Sequence, residues 1–154
     1  MPKVSIILPF HASAPTIAAT LDSLQAQSFT DWEAICVNDR SPDGADRIVA
    51  EYAVRDRRIR LVTNPGTGPS DARNHGAELA TGNYLAFCDA DDLWTPGKLA
   101  ETVAAFGPGI AGLFGQIGFF TETPCDCRTR STVPAGALSI AALLAENPVC
   151  TMSN

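Results

Sequence analysis

Dense apolar runs and amphipathic stripes alternate along the first hundred residues. Val4 to Phe10 (V-S-I-I-L-P-F), Trp32 to Val37 (W-E-A-I-C-V), Ile59 to Thr63 and Tyr84 to Cys88 are short and rich in β-branched or aromatic residues. Each is bounded by turn-forming residues, so the pattern predicts four buried strands. Between them the apolar period changes. Ile17, Leu21 and Leu24 recur at spacings of four and three, behind Ser13 as a cap and Pro15 in the first turn. A second helix over Asp43 to Asp56 places Ile48, Val49 and Tyr52 on its inner face. Ser70 and Asp71 open a third helix that ends at Gly82, and Thr95 with Pro96 opens a fourth. Beyond it, Ile110 to Phe120 predicts a Gly-rich strand, Thr121 to Pro134 a loop and Leu138 to Ala145 a last short helix.

Regular alternation of strand and helix implies an α/β fold, with a mostly parallel sheet covered by helices on both faces. Ligands of such folds bind at the carboxyl ends of the strands. Pro9 ends the first predicted strand, Asp39 follows the second and Asp89 follows the fourth. Polar residues able to carry chemistry are thus expected to gather on one edge.

Composition narrows the picture. A chain of 154 residues, 45% hydrophobic and 18% charged, suits a single globular domain over residues 1–154. Its net charge of −6 argues against a nucleic-acid partner, which needs a basic face. The one basic cluster, Arg55, Arg57, Arg58 and Arg60, reads as the covering of a helix end, with weak contact to anionic lipid as the other reading. No signal peptide is recognisable and no apolar run reaches membrane-spanning length. Of the five cysteines, Cys36 and Cys88 fall inside predicted strands as small hydrophobes, so a reducing, cytoplasmic compartment is expected. Cys125 and Cys127 have no second closely spaced cysteine pair and no nearby histidine, which argues against zinc.

The fourth strand runs abruptly into Asp89, Asp91 and Asp92. If the backbone stays extended, Asp89 and Asp91 share a face. Crowded carboxylates repel, and a hard cation such as Mg2+ or Mn2+ relieves them. Two readings stand: a metal site for a phosphate-bearing ligand, or an acidic surface turn. Asp39, followed by S-P-D-G, either caps that turn or accepts a hydrogen bond from a base or ribose. Arg73 lies in the first turn of the third helix, where a cation opposes the helix dipole. Its readings are an anionic partner, either a ligand phosphate or one of the clustered carboxylates, or a plain surface arginine. His11 stands near the edge of strand one as a weaker ligand candidate, and His75 reads as structural. The G-x-G-x-x-G match at Gly107 to Gly112 follows a helix instead of a strand and is rejected as a dinucleotide site.

Four motifs now stand in order: V-S-I-I-L-P-F at Val4 to Phe10, V-N-D-R-S-P-D-G at Val37 to Gly44, G-P-S-D-A-R-N-H-G at Gly68 to Gly76 and F-C-D-A-D-D at Phe87 to Asp92. Together they resemble the family 2 inverting glycosyltransferases of the Rossmann-like GT-A fold, over roughly residues 3 to 105. The resemblance implies a nucleotide-diphosphate-sugar donor, usually a UDP-sugar, with Mn2+ or Mg2+. It sets Asp39 on the base, Pro9 beside the nucleoside with Phe10 and His11 next to it, and Arg73 near the nucleotide. Asp89 and Asp91 become the D-x-D pair, with Asp91 closest to the metal and Asp89 near ribose or metal. The loop after strand one departs from the family, which often carries Asn or Asp where this chain reads Phe10-His11-Ala12-Ser13. The resemblance also implies that the family chain continues past Asn154, so the chain reads as C-terminally truncated, with its catalytic base expected in the part beyond. A saccharide or lipid-linked saccharide acceptor, polysaccharide biosynthesis at the inner face of the membrane and a homo-oligomer with an uncovered sheet edge are the remaining expectations. The rival reading is a non-catalytic nucleotide-sugar-binding fragment that needs a partner chain. A nucleotidyltransferase would want a Gly-rich, Lys- or Arg-bearing loop after strand one, which His11 to Pro15 does not supply.

Overall fold

A computed structural model describes residues 3–113, 115, 118–119 and 129–130. The elements run β1 (Val4–Phe10), α1 (Ile17–Gln25), β2 (Trp32–Asn38), α2 (Ala45–Arg55), β3 (Ile59–Thr63), α3 (Pro69–Glu78), β4 (Tyr84–Phe87), α4 (Lys98–Ala105), β5 (Gly118–Phe119) and β6 (Thr129–Arg130). The chain divides into two compact units, Met1–Glu101 and Thr102–Asn154.

The first unit holds a four-stranded sheet in the order β3-β2-β1-β4. All three pairings are parallel. β1 is the centre: all seven of its residues are buried. Ile6, Ile7 and Leu8 are wholly inaccessible, and each aliphatic side chain so buried contributes about 1.5–3 kcal/mol. Parallel neighbours need crossovers, and right-handed crossovers decide which face each helix covers. The chain moves one way from β1 through β2 to β3, then jumps back past both to β4. α1 and α2 therefore share one face, and α3 covers the other. On the α3 face Ile7, Ile35 and Val37 pack with Ala72 of α3.

Gly76 allows α3 to lie this close. A Cβ there would stand 2.5 Å from Ile7 Cγ2 and 3.2 Å from Val37 Cγ2. α3 then crosses the sheet directly above the middle of β1 and β2.

The mostly parallel α/β architecture agrees with the sequence pattern, and several local expectations are corrected. α1 starts at Ile17 with Thr16 as its N-cap, and Ser13 does not cap it. The Ser13 hydroxyl donates to the His11 carbonyl at 3.0 Å, while its own carbonyl closes a turn onto Thr16 and Ile17. α3 ends at Glu78, short of Gly82. β4 is half-exposed, with Leu85 at 47% and Phe87 at 40% accessibility, because it stands at the end of the strand order.

In the second unit, Ile110 to Leu113 are exposed and irregular. Gly109, with φ of 80°, precedes them in a glycine-rich stretch that resists regular extension. Only Gly118–Phe119 of the predicted strand is a strand among the described residues, paired antiparallel with Thr129–Arg130 from the stretch expected to be loop. The predicted helix at Leu138 to Ala145 and the cysteines Cys125 and Cys127 lie outside the described residues.

Candidate functional site

The carboxyl edge of the sheet opens between β1 and β4. Their last paired residues are Ile7 and Phe87. In a parallel strand the backbone polar groups of alternate residues point the same way. Ile7 accepts a hydrogen bond from Cys88 on the β4 side, so Pro9 faces that side too. Its missing N–H falls just past the end of β4, which is why a proline is tolerated in the central strand. The other side stays closed: Phe10, buried, accepts from the Asp39 N–H at 2.9 Å.

Two loops leave this edge and are tied together. His11 Nδ1–H donates to the Asp39 carbonyl at 2.8 Å, which fixes its tautomer because a carbonyl can only accept. The N–H of Ala12 donates to Ser41 Oγ at 2.8 Å, and the N–H of Ala14 to Asp43 Oδ2 at 2.7 Å. Ala14, then the Ser41 hydroxyl, hold the Asp43 carboxyl below its usual range. Ala12 and Arg40 adopt left-handed conformations, with φ of 51° and 55°.

Each oxygen of Asp39 has a donor. Its Oδ1 accepts from Asn64 Nδ2 at 2.8 Å, and its Oδ2 accepts from the Gly68 N–H at 2.8 Å. Arg40 stands 3.6 Å from Oδ1 and donates to the Gly66 carbonyl at 2.7 Å. The β3–α3 loop thus hangs from the end of β2. Gly68, the N-cap of α3, sits at φ 88°, a conformation that favours glycine.

At the end of β4 the structure brings together Arg73 and Asp89. Arg73 Nη2 donates to Asp89 Oδ1 at 2.8 Å. The Asp89 carboxylate is thus one anionic partner of Arg73. Asp89 is 6% accessible, and its Oδ2 is buried without a hydrogen-bond partner. The expected extended D-A-D does not form. Ala90 and Asp91 make a turn, closed by the Asp92 N–H on the Asp89 carbonyl at 3.1 Å. Asp89 is consequently buried and Asp91 exposed. From the other face of the sheet, Thr20 of α1 donates to the Ala90 carbonyl at 2.9 Å and fixes the turn.

Charge is crowded here. Burial, then the charges of Asp89 and Asp91, push the Asp92 carboxyl up to about 6, with Lys98 acting against them. Burial, followed by Asp92 and Asp89, raises the Cys88 thiol well above its ordinary value, so it stays protonated. Cys36, wholly buried, is pushed up to about 12. Both are free, buried thiols.

Among the described residues no three His, Cys, Asp or Glu side chains converge as a ready-made cation cage. The donor set still fits a divalent ion shared with a ligand. Mg2+ and similar ions are commonly held by one or two carboxylates, with phosphates and water completing the shell. The partnerless Asp89 Oδ2 and the crowded Asp92 are the features that fit. His75 stands 3.8 Å from Glu78. Sequence reasoning missed Asn64, Thr20 and Gly76. Asn64 opens the N-P-G-T-G-P run, whose turn signal hid its buried side chain.

Comparison with known proteins bears on the family and the fold. The family described as "Glycosyl transferase family 2" matches residues 5–138. An uncharacterized glycosyltransferase, EpsJ of Bacillus subtilis (strain 168), is 45% identical over 92 residues, which are 60% of this chain and 27% of that protein. The Escherichia coli UDP-Glc:alpha-D-GlcNAc-diphosphoundecaprenol beta-1,3-glucosyltransferase WfgD is 38% identical over 102 residues, covering 66% of this chain and 40% of its own length. The chain thus spans well under half of these relatives. Among solved structures, S. aureus TarS 1-349 in complex with UDP-GlcNAc superposes with a TM-score of 0.61 and 30% identity, over 66% of this chain and 30% of that one. A mannosyltransferase from Pyrobaculum calidifontis in complex with GDP-Man and Mn2+ gives 0.63 and 28%, over 81% of this chain and 37% of that one. With a parallel β3-β2-β1-β4 sheet, acidic strand ends and a profile match over most of its length, this chain is a GT-A-fold member of glycosyl transferase family 2.

Proposed function

We propose that the chain binds a nucleotide-diphosphate sugar, a UDP-sugar before others, together with Mn2+ or Mg2+, and serves sugar transfer with inversion. The observation that carries this reading is Asp89: a buried carboxylate at the open strand edge, half-satisfied by Arg73 and with one oxygen lacking any donor. Buried polar atoms without partners are uncommon and call for a ligand or strain to explain them. Asp89 and Asp91 would hold the metal, with Asp92 beside them in the same cluster of charge, and Asp39 would accept from the base. Pro9, Phe10 and His11 would flank the nucleoside. When bound, the metal would supply a Lewis acid for the charge that grows on the leaving diphosphate. Arg73 holds one oxygen of Asp89 in place, and Thr20 holds the turn that carries Asp91.

The acceptor proposed is a saccharide on a polyprenyl diphosphate, on the strength of the WfgD name, with action at the cytoplasmic face of a membrane. No helix among the described residues is long and apolar enough to cross one. A homo-oligomer is expected from the exposed Leu85 and Phe87 at the end of the sheet. A clean monomer by light scattering would contradict it.

The deciding experiment is calorimetric titration of UDP with and without Mn2+, on the wild type and Asp91→Ala. Metal-dependent binding that disappears in the variant supports the donor site. A folded wild type that binds nothing overturns it. Binding without transfer or donor hydrolysis would favour the rival reading, a nucleotide-sugar-binding fragment that needs a partner chain.

A further inference from the structure

Asn64 stands outside every motif assigned a role above, and its side chain is the best-connected neutral group at the strand edge. It is 1% accessible. Its Nδ2 donates to Asp39 Oδ1 at 2.8 Å and to the Gly68 carbonyl at 3.3 Å, while its Oδ1 accepts from the Gly66 N–H at 3.1 Å. Its backbone N–H donates to the Asn38 carbonyl at 2.9 Å. One buried amide therefore grips the end of β2, the turn of the β3–α3 loop and the N-cap of α3.

We infer that Asn64 is a positioning residue for nucleoside recognition, holding the Asp39 carboxylate in the orientation that receives the base. The inference rests on the donor-site reading above. A carboxylate has more acceptor sites than the two that Asn64 and Gly68 occupy. Those two donors fix the plane of the group and leave its remaining lone pairs for a ligand N–H. Without the Asn64 amide, Oδ1 keeps only Arg40, at 3.6 Å and with its side chain 56% exposed, and the Gly68 N–H alone no longer fixes the plane of the carboxylate. The same loss loosens the turn that precedes α3, but α3 itself stays seated through Ala72 and Gly76 on the sheet. The effect should therefore fall on the nucleoside end and spare the diphosphate end, where Arg73 and Asp89 sit.

That asymmetry gives the test. UDP and inorganic pyrophosphate, each with Mn2+, are titrated into the full chain as wild type, Asn64→Ala, Asp39→Ala and the double variant. Folding of each is checked by circular dichroism. The expected result is a weakening of UDP by about tenfold to a hundredfold in Asn64→Ala, the range for a lost hydrogen bond to a charged group. Pyrophosphate binding should change less than about twofold, and the double variant should be no worse than Asp39→Ala alone. Asn64→Asp keeps the shape but replaces the donor with an acceptor, and should weaken UDP at least as much. It carries the test if Asn64→Ala does not fold. Equal loss of both ligands, or additive losses in the double variant, would overturn the positioning role while leaving the donor site standing. A wild type that binds neither ligand would overturn both.

Discussion

Two aspartates end two strands of one sheet, and they are satisfied differently. Asp39, after β2, has a donor on each oxygen: the Asn64 amide on one and the Gly68 N–H on the other. Asp89, after β4, has Arg73 on one oxygen and nothing on the second. Both side chains are largely buried, at 13% and 9% accessibility, so burial does not separate them. The donors around them do. A carboxylate with all its protein partners in place is an anchor with a preset orientation. One with a buried empty oxygen carries an energetic deficit that a cation or ligand can remove. Under the proposed function, recognition would belong to the β2 end and charge handling to the β4 end.

The largest way to break the contrast is to strip Asp89 of its last donor. Arg73→Ala is expected to cost about 2–3 kcal/mol, toward the low end for a broken buried pair because Arg73 is itself partly exposed. Urea denaturation measures it. The matching change at the other end, Asn64→Ala, leaves the Gly68 N–H in place and should cost less, about 1–2 kcal/mol. Equal costs would mean the two sites are not differently satisfied.

Gly76→Ala tests the scaffold that both ends share. The new methyl would meet the stiff Cγ2 of Ile7, an overpacking cost of about 1–3 kcal/mol, partly offset by about 0.5–1 kcal/mol of helix propensity. A net loss of about 1 kcal/mol is expected, with weaker UDP binding because α3 carries Arg73.

The opposite edge of the sheet supplies a pH control. Burial alone raises the Glu33 carboxyl, but the Ser5 hydroxyl, the Thr81 N–H and hydroxyl, and the Arg60 charge together outweigh it and leave it lowered. An acid lowered in the folded state contributes stability in full above its unfolded value and loses it as pH falls through the folded one. Asp56, lowered first by its hydrogen bond to Arg58, acts in the same direction. Melting temperature should therefore drop on acidification below the ordinary carboxylate range. Glu33→Gln should melt lower at neutral pH and show a shallower acid decline; an unchanged slope would remove Glu33 from the account. The smallest effect belongs to the exposed Glu51–Arg55 pair at 3.7 Å, where Glu51→Ala should shift stability by no more than about 0.5 kcal/mol.

Much of this was legible in the chain itself. The switch from dense apolar runs to apolar residues at spacings of three and four placed β1, β2, β3 and β4 within a residue of their observed bounds, because both patterns are local consequences of backbone geometry and burial. Asp39 and Asp89 could be set on the carboxyl edge for the same reason: each ends a strand, and parallel strands end together. The tertiary structure alone decided the rest. It put β4 at the end of the sheet, so Leu85 and Phe87 are half-exposed where the apolar run implied burial. It brought the Asp89 carboxylate to Arg73, turned the chain at Ala90 and Asp91, and buried Asn64 at the start of the β3–α3 loop. Each of those outcomes depends on a partner far along the chain, such as Asp39 for Asn64, Asp89 for Arg73 or Thr20 for Ala90. Periodicity carries no information about such pairings, because they exist only once β1 has drawn β2 and β4 to its two sides.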